Sequence, residues 1–285
     1  MKTTGLFTVQ QFPVFVKSGQ QVDVIPFGDI HRHAPLCNEE RWHEFCARGV
    51  KEKHQEKYYI GMGDYDDLAS SKERKIFASS ELHESTTQTM DEFAEEKTKK
   101  LAKEIGFMKG KLIGLMEGNH YWKFQSGITN TQRLCQIVNC AYLGVSCVIV
   151  LQLVFGNRHK RHTTSVKIFG HHGKGASRLP GGSINRVEQM REIFPSMDFY
   201  LMGHDHRRGA FPVSVLDITG SSNLKVVHKK QWLCRTGSFL RGYVEGAASY
   251  IVDGAMSPAD LGVIRLELTP KNNRGYLEVD THVWS

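Results

Sequence analysis

Short apolar runs that end at a glycine recur along the first half of the chain. They are Val22–Phe27, residues 57–62 and residues 111–116. A short apolar run bounded by a turn signal is typical of a buried β-strand. Polar residues follow each run almost at once, so the pattern predicts strands whose carboxyl ends carry polar clusters.

Helical patterns separate these runs. They cover residues 38–55 and residues 72–105. In the second segment many charges lie on the other faces, and the residues that recur at helical spacing are Phe93, Lys97, Leu101 and Ile105. The alternation of strand and helix favours βαβ units in this half of the chain.

The second half is richer in strand patterns. Residues 144–155 and 163–169 flank a polar turn at residues 156–162 and predict a hairpin. Further strands are predicted at Phe199–Met202 and at residues 225–233, 263–269 and 276–283. These strands favour two sheets over one, and no composition shift marks a linker. We therefore predict that residues 1–285 form a single domain.

Composition is that of an ordinary globular protein, with 40% hydrophobic and 24% charged residues among 285. The formal net charge is +7, and a cationic protein favours polyanionic partners such as nucleic acid or nucleotides. Basic residues cluster at Arg158, Lys160 and Arg161, at Arg207 and Arg208, and at Lys229 and Lys230.

The spacing of the cysteines and the lengths of the apolar runs indicate the cellular compartment in which the protein is expected. The six cysteines have irregular spacing, and residues 1–5 lack the layout of a signal peptide. The longest apolar run, residues 140–155, is shorter than a membrane span. We therefore predict a reducing, cytoplasmic setting and no membrane partner.

Five short polar segments carry the residues suited to metal chemistry. They are GDIH at 28–31, GDYDD at 63–67, GNH at 118–120, GHHG at 170–173 and GHDH at 203–206. In an extended backbone, residues i and i+2 point to the same side, which would let each Asp-x-His or His-x-His pair reach one ion. The three acids Asp64, Asp66 and Asp67 would repel one another unless a cation or a basic partner offset their charge.

In this order the five segments resemble the calcineurin-like metallophosphoesterase superfamily. Its signature runs Asp-x-His, Gly-Asp-x-x-Asp, Gly-Asn-His, a further His, and Gly-His-x-His, and the match extends over residues 22–208. The resemblance implies an α/β fold of four layers, α/β/β/α, in which two mixed β-sheets are flanked by helices.

The resemblance also implies a dinuclear metal centre. One ion would be held by Asp29, His31 and His206, and the other by Asn119, His204 and a histidine of the GHHG segment, with Asp64 bridging the two. We favour His171 for that histidine because it stands first at the strand end, which leaves His172 as a substrate contact or a supporting residue. Imidazole, carboxylate and amide ligands suit two divalent ions of manganese, iron or zinc, and manganese is favoured.

The activity implied by the resemblance is hydrolysis of a phosphoester, either a diester or a monoester, by a bridging hydroxide. His120 would protonate the leaving oxygen and Asp67 would orient His120. The basic clusters make a nuclease one version of this activity, with nucleic acid or a nucleotide as substrate. The alternative is a metal-binding scaffold of the same fold without catalysis.

The chain departs from the family pattern at two positions. Tyr121 stands where an acid commonly follows Gly-Asn-His, which affects the tuning of His120. Arg32 stands where a glycine commonly follows Asp-x-His, and it could clamp a substrate phosphate. Lys174, in a glycine-rich loop, is a further candidate for binding the substrate phosphate.

Overall fold

The computed structural model describes residues 2–3, 7–79, 83–157, 160–175, 179–219, 224–246, 250–255, 257–273 and 276–285. In these ranges the strands are β1 (Lys2–Thr3), β2 (Thr8–Phe15), β3 (Val22–Phe27), β4 (Lys57–Gly61), β5 (Leu112–Met116), β6 (Ala141–Gly144), β7 (Ser146–Asn157), β8 (Lys160–His171), β9 (Phe199–Met202), β10 (Arg208–Thr219), β11 (Lys225–Ser238), β12 (Gly262–Val263), β13 (Arg265–Asn273) and β14 (Tyr276–Trp284). The helices are α1 (Glu39–Lys51), α2 (Ser71–Ser79), α3 (Glu84–Glu104), α4 (Asn130–Val138), α5 (Pro180–Glu188), α6 (Met190–Ile193) and α7 (Tyr250–Asp253), with a 3-10 turn at Ile105–Met108.

The described strands form two mixed sheets. The larger has the order β1-β2-β7-β8-β9-β11-β10, with β12 beside β11, and the smaller has the order β14-β13-β3-β4-β5-β6. In the smaller sheet β3, β4, β5 and β6 are parallel, as expected where helices connect the strands. In the larger sheet β8, β9 and β11 are parallel.

Three apolar clusters hold the layers together. Side chains such as Val24, Ile60 and Leu201 fill the space between the two sheets. Trp42 and Leu101, from α1 and α3, belong to a second cluster on the outer face of the smaller sheet. A third cluster lies where α5 and α6 cover the larger sheet. The predicted fold class, two mixed sheets flanked by helices, is confirmed.

One predicted element differs from the structure. Residues 72–105 form two helices, α2 and α3, and α3 begins after His83, whose side chain accepts a hydrogen bond from the Ser85 N–H. On α3 the buried residues include Ala94 and Leu101, whereas Phe93 is 45% exposed. Apolar spacing placed Phe93 on the buried face, but Lys97 lies over its ring at the surface.

Two strands that contain proline were not predicted from the sequence. β2 contains Pro13 and β10 contains Pro212, and a proline within an apolar run argues against a strand because it cannot donate to the ladder. β10 tolerates Pro212 because it is the outermost strand of its sheet. Among the described helices, none combines the length and the apolar character needed to cross a bilayer.

Candidate metal centre

The five polar segments meet at one edge of the molecule. They follow the carboxyl ends of β3, β4 and β5 in one sheet, and of β8 and β9 in the other. Backbone hydrogen bonds join them: Asp29 N–H donates to the Gly63 carbonyl at 2.9 Å, and Gly203 N–H donates to the His172 carbonyl at 2.9 Å. The carboxyl ends of parallel strands are where such sheets hold their ligands.

The backbone at this edge is left-handed at five of the predicted ligands. The φ angles are 46° at Asp29, 47° at His31, 49° at Asp64, 71° at His204 and 56° at His206. Residues other than glycine rarely adopt this region, and such strain clusters at functional sites. The extended-backbone argument for the two i, i+2 pairs is therefore wrong, because tight left-handed loops turn these side chains inward.

Asp64 lies at the centre of the cluster and divides its two oxygens between different tasks. Oδ1 accepts the backbone N–H groups of Asn119 at 2.6 Å and His120 at 2.8 Å. Oδ2 lies 3.3 Å from Nε2 of His172 and 3.8 Å from Nε2 of His31. A Cβ on Gly118 would lie 2.0 Å from Oδ1, so only glycine allows this approach.

Three groups of possible donors lie together here, and the donor atoms of each are within 4.8 Å of one another. Asp29, His31 and His206 form the first group, and Asp64, His172 and His204 form the second. The third group shares His31 with the first and adds Asp67 and His120. These His and Asp clusters could hold metal ions.

Asn119 adds an amide oxygen to the second group. Its Oδ1 is 2.9 Å from His172 Nε2 and 2.7 Å from His204 Nδ1.

The protonation pattern of the ligands fits a cation. His172 Nδ1 is 2.8 Å from the Met62 carbonyl and donates to it, so Nε2 can approach the acceptor oxygen of Asn119 only when it carries a proton of its own or binds a cation. Two acceptors at that distance need a proton or a cation between them. Nε2 of His31 is buried and has no hydrogen-bond partner among the described residues. Both features fit a divalent ion held by imidazole and oxygen donors.

Burial and charge shift the pKa values of these groups in opposite directions. Burial lowers the pKa of His204 to about 4 and raises the pKa of Asp29 to about 7. Burial alone would lower the pKa of His172, but the charge of Asp64 outweighs it and raises the pKa to about 9. A divalent cation competes with protons for such ligands.

His120 and Asp67 form a hydrogen-bonded pair beside the first two groups. Nδ1 of His120 is 2.6 Å from Oδ1 of Asp67, and the same oxygen is 3.7 Å from Nδ1 of His31. Hydrogen bonding to His120 and His31 holds the pKa of Asp67 well below its usual value. Asp67 thus stays ionised and orients both imidazole rings.

The third acid of the segment has another partner. Asp66 is buried, and its Oδ1 lies 3.1 Å from Nδ1 of His33. The predicted repulsion among Asp64, Asp66 and Asp67 is therefore offset partly by His33, a histidine outside the five polar segments.

The preference for His171 is corrected by the geometry. Nδ1 of His171 accepts the backbone N–H of Gly173 at 2.8 Å, and the ring does not belong to any of the three groups of donors. His171 is the last residue of β8, and the next side chain along the strand points to the opposite side. His172 is therefore the residue that reaches Asp64, and it lies among the donors that could hold a metal ion rather than in the predicted contact with substrate.

Arg32 does not clamp a substrate phosphate. Its guanidinium is buried, with Nε and Nη2 donating to Glu104 at 3.1 Å and Nη1 donating to Glu39 at 2.7 Å. These two carboxylates already occupy its donors, so Arg32 ties α1 to α3. Tyr121 lies under the guanidinium of Arg74, whose Cζ is 3.6 Å from the ring centroid.

The basic residues that could bind a substrate phosphate differ in exposure and in their pairing with acids. Lys174 is exposed, directly after the segment that contains His172. Arg208 pairs with Asp260 at 2.6 Å, and Lys229 pairs with Asp198 at 3.0 Å. Arg158 and the side chains of Lys160 and Arg161 lie outside the described residues.

One supporting residue had no signal in the sequence. Arg235, on β11, is 2% exposed. Its Nη2 is 2.8 Å from Oδ2 of Asp205, its Nη1 donates to the Gly203 carbonyl at 2.8 Å, and its Nε donates to Ser183 Oγ at 2.8 Å. Arg235 thereby fixes the loop that carries His204 and His206. Only the packing of β11 against this loop identifies it.

Comparison with known proteins gives no family. The chain matches no family model and no curated protein sequence. Among solved structures, a Vps29 variant from Entamoeba histolytica is 13% identical, with a TM-score of 0.40 and an alignment that covers 93% of this chain and 100% of that one. Vacuolar Protein Sorting 29 from Cryptosporidium parvum is 13% identical, with a TM-score of 0.36 over 93% of this chain and 99% of that one.

A third solved structure, GAP50, described as the anchor in the inner membrane complex of Plasmodium, is 11% identical, with a TM-score of 0.40 over 93% of this chain and 85% of that one. Similarity at this level carries no functional argument, and the function must be inferred from the geometry of the site.

Proposed function

We propose that this protein is a metal-dependent phosphoesterase with a dinuclear centre. The observation that carries the proposal is the placement of Asp64, whose Oδ1 is fixed by two backbone N–H groups while its Oδ2 faces His31 and His172. One carboxylate oxygen between two histidine-rich groups is the arrangement expected of a bridging ligand.

The chain supplies ligands for two ions. Asp29, His31 and His206 would hold one ion, while His172, His204 and Asn119 would hold the other. Manganese, iron and zinc accept such a set, and manganese remains the favoured ion. When bound, the ions would supply Lewis acidity toward the phosphoryl oxygens and an activated water.

The remaining chemistry belongs to His120. Its ring lies 4.8 Å from that of His31, centroid to centroid, and its Nδ1 is tied to Asp67. Nε2 is therefore the ring atom directed away from Asp67, in the position from which a proton can pass to a leaving oxygen. Asp67 stabilises the protonated ring and fixes its orientation, as a carboxylate does for a general acid.

The substrate is proposed as a phosphodiester or a phosphomonoester. Lys174 is the exposed cation nearest in sequence to His172 and is proposed to contact a substrate phosphate. A nuclease or nucleotide hydrolase remains the version favoured by the net charge of +7.

The direct test is hydrolysis of bis(p-nitrophenyl) phosphate and p-nitrophenyl phosphate by protein loaded with manganese. Turnover that disappears in Asp64→Asn, but survives in the matched variant Asp217→Asn on the distant strand β10, supports the proposal. Absence of turnover on both esters, and on nucleic acids and nucleotides, would leave the metal-binding scaffold as the function.

A further inference from the structure

Arg74, on α2, contacts the loop that carries Asn119 and His120. Its Nη1 donates to the carbonyl of Asn119 at 2.8 Å and to the carbonyl of Tyr121 at 3.2 Å. The same atom also donates to the carbonyl of Ala69. Asn119 and Tyr121 are the two neighbours of His120 in the chain, so one guanidinium holds the backbone on both sides of that histidine.

The carbonyl of Ala69 connects Arg74 to the partner of His120. Ala69 lies two residues after Asp67, in the loop after β4, whereas His120 lies in the loop after β5. The hydrogen bond of 2.6 Å between Asp67 and His120 joins these two loops. Arg74 joins the same loops a second time, through backbone acceptors close to each member of the pair. It therefore limits how far Asp67 and His120 can move apart.

Aromatic contacts hold the guanidinium and the helix against the second loop. The ring of Tyr121 lies 3.6 Å from Cζ of Arg74, which is the geometry of a cation–π contact. Phe77, three residues further along α2, packs edge-on against Trp122, with ring centroids 6.0 Å apart. Residues three apart lie on one face of a helix. The same face of α2 therefore contacts the loop after β5 at two adjacent residues, Tyr121 and Trp122.

The start of α2 is fixed close to Asp67. Ser70, three residues after Asp67, donates its N–H to Oε2 of Glu73 at 2.7 Å, and its Oγ accepts the N–H of Glu73 at 3.2 Å. This reciprocal pair is a capping box, which defines the first turn of a helix. Arg74 follows Glu73 directly, so the capping box sets the point from which the arginine side chain extends.

The terminal nitrogens of Arg74 already have partners in the protein. Nη1 donates to the three carbonyls, and Nη2 donates to Oγ of Ser71 at 3.2 Å. A side chain bonded in this way is suited to holding backbone in place. It is less suited to binding a substrate phosphate, which needs donors that are not occupied.

We propose that Arg74 is a positioning residue for the phosphoester hydrolysis, an inference that rests on the proposed function. Arg74 keeps His120, the proposed acid, within hydrogen-bonding distance of Asp67. It also fixes the backbone of Asn119, a proposed ligand, and Tyr121 provides the surface on which the guanidinium lies. A catalytic group displaced by about 1 Å can lose about 10²-fold in rate.

The test compares two substitutions of Arg74 with the same substitution at another arginine. Arg74→Met keeps a long side chain but removes the donors and the charge. Arg74→Lys keeps the charge and a donor but loses the planar group that stacks on Tyr121. Arg133→Met is the control, because Arg133 joins α4 to α3 through Glu95. Circular dichroism checks that each variant is folded.

The kinetic measurement uses manganese-loaded protein with phenyl phosphate and diphenyl phosphate. Phenolate needs a proton from an acid more than p-nitrophenolate does, so these esters report on His120. Arg74→Met should lower kcat about 10²-fold and leave KM unchanged, because the effect is on the position of the acid and not on substrate binding. Arg74→Lys should recover part of the lost kcat, and Arg133→Met should leave kcat unchanged.

A second measurement needs no metal. Hydrogen exchange followed by mass spectrometry reports on residues 118–121 of the metal-free protein, where Asp64 accepts the N–H groups of Asn119 and His120. Arg74→Met should speed exchange in this segment about tenfold, which corresponds to one lost hydrogen bond to a charged group. Arg133→Met should not change it.

The outcomes separate the inference from the proposed function. A rise in KM with kcat retained would show that Arg74 binds the substrate, and unchanged kcat with unchanged exchange would show that it positions nothing. Both results overturn the inference. If Arg74→Met does not fold, Arg74→Lys carries the same comparison, with a smaller fall in kcat at unchanged KM. If the wild-type chain hydrolyses no ester, the proposed function fails, and hydrogen exchange decides by itself whether Arg74 holds the loop.

Discussion

His120 differs from the other histidines of the centre in both partner and exposure. Its side chain is 26% exposed, against 4% for His31 and 2% for His172. It donates through Nδ1 to Asp67 and lies outside the first and second groups of donors; its own group is the third, with His31 and Asp67. In the proposed function, a residue placed in this way can exchange protons with a substrate while the buried histidines would hold the cations.

Replacing His120 should therefore separate catalysis from metal binding. In His120→Asn we expect kcat to fall about 10²- to 10⁴-fold, the contribution of a general acid, with the metal content unchanged by elemental analysis. The loss should be smaller for p-nitrophenyl esters than for alkyl esters, because p-nitrophenolate leaves without protonation. An equal loss on both ester types would contradict the role as acid.

The adjacent histidines of the GHHG segment offer a matched pair. His172 faces Asp64, whereas His171 accepts a backbone N–H from Gly173. His172→Ala should reduce the bound manganese from about two ions to about one per chain, and His171→Ala should retain both. Isothermal titration calorimetry measures the stoichiometry. The reverse pattern would restore His171 as the ligand.

At the scale of elements, the loops that follow the strands hold the proposed ligands in left-handed backbone, and neighbouring elements support them. Asp205 lies between two of the proposed ligand histidines, and its carboxylate is held by Arg235 from β11 and Ser183 from α5. The orientation of His204 and His206 therefore depends on packing between elements that are distant in the sequence.

Arg235→Met should destabilise the fold and weaken metal binding together, because it leaves Asp205 buried without its partner. Losing one partner of a buried pair costs about 3–5 kcal/mol. The exposed pair of Arg208 and Asp260 provides the control, and Arg208→Met should cost less than about 1 kcal/mol. Urea denaturation measures both changes. Similar costs for the two variants would show that Arg235 does not anchor the loop.

At the scale of the whole molecule, the centre joins the two sheets, since Asp29 and Asp64 come from one sheet and His172, His204 and His206 come from the other. The metal-free protein gathers buried carboxylates and imidazoles at this seam. Any cation bound there stabilises the folded state alone, because the ligands are dispersed in the unfolded chain.

Manganese should therefore raise Tm after treatment with EDTA, by an amount equivalent to about 2.7 kcal/mol when its concentration is 100 times Kd. The pKa of Asp29 is raised by burial from 3.8 to about 7. Because the folded state favours protonated Asp29, this proton stabilises the fold at low pH, and the stabilisation is lost as the pH rises through about 7. The gain from manganese should thus be larger at pH 8 than at pH 6 in differential scanning fluorimetry. A gain that is larger at pH 6 would contradict the assignment.

The sequence by itself determined the parallel strands of the smaller sheet and the order of the five polar segments. Apolar runs such as Val22–Phe27 are local signals, and the residue types at their ends limit the chemistry to hard and intermediate metal ligands. These properties depend on residues that are close together in the chain, so the sequence alone predicts them.

Only the tertiary structure decided which histidine of the GHHG segment faces Asp64, that Arg32 is neutralised by Glu39 and Glu104, and that Arg235 supports the centre. Each depends on side-chain direction or on contacts between residues far apart in sequence. A shift of one residue along a strand reverses the face of a side chain, and a buried arginine has the same local sequence pattern as an exposed one. Long-range packing therefore settled what local patterns left open.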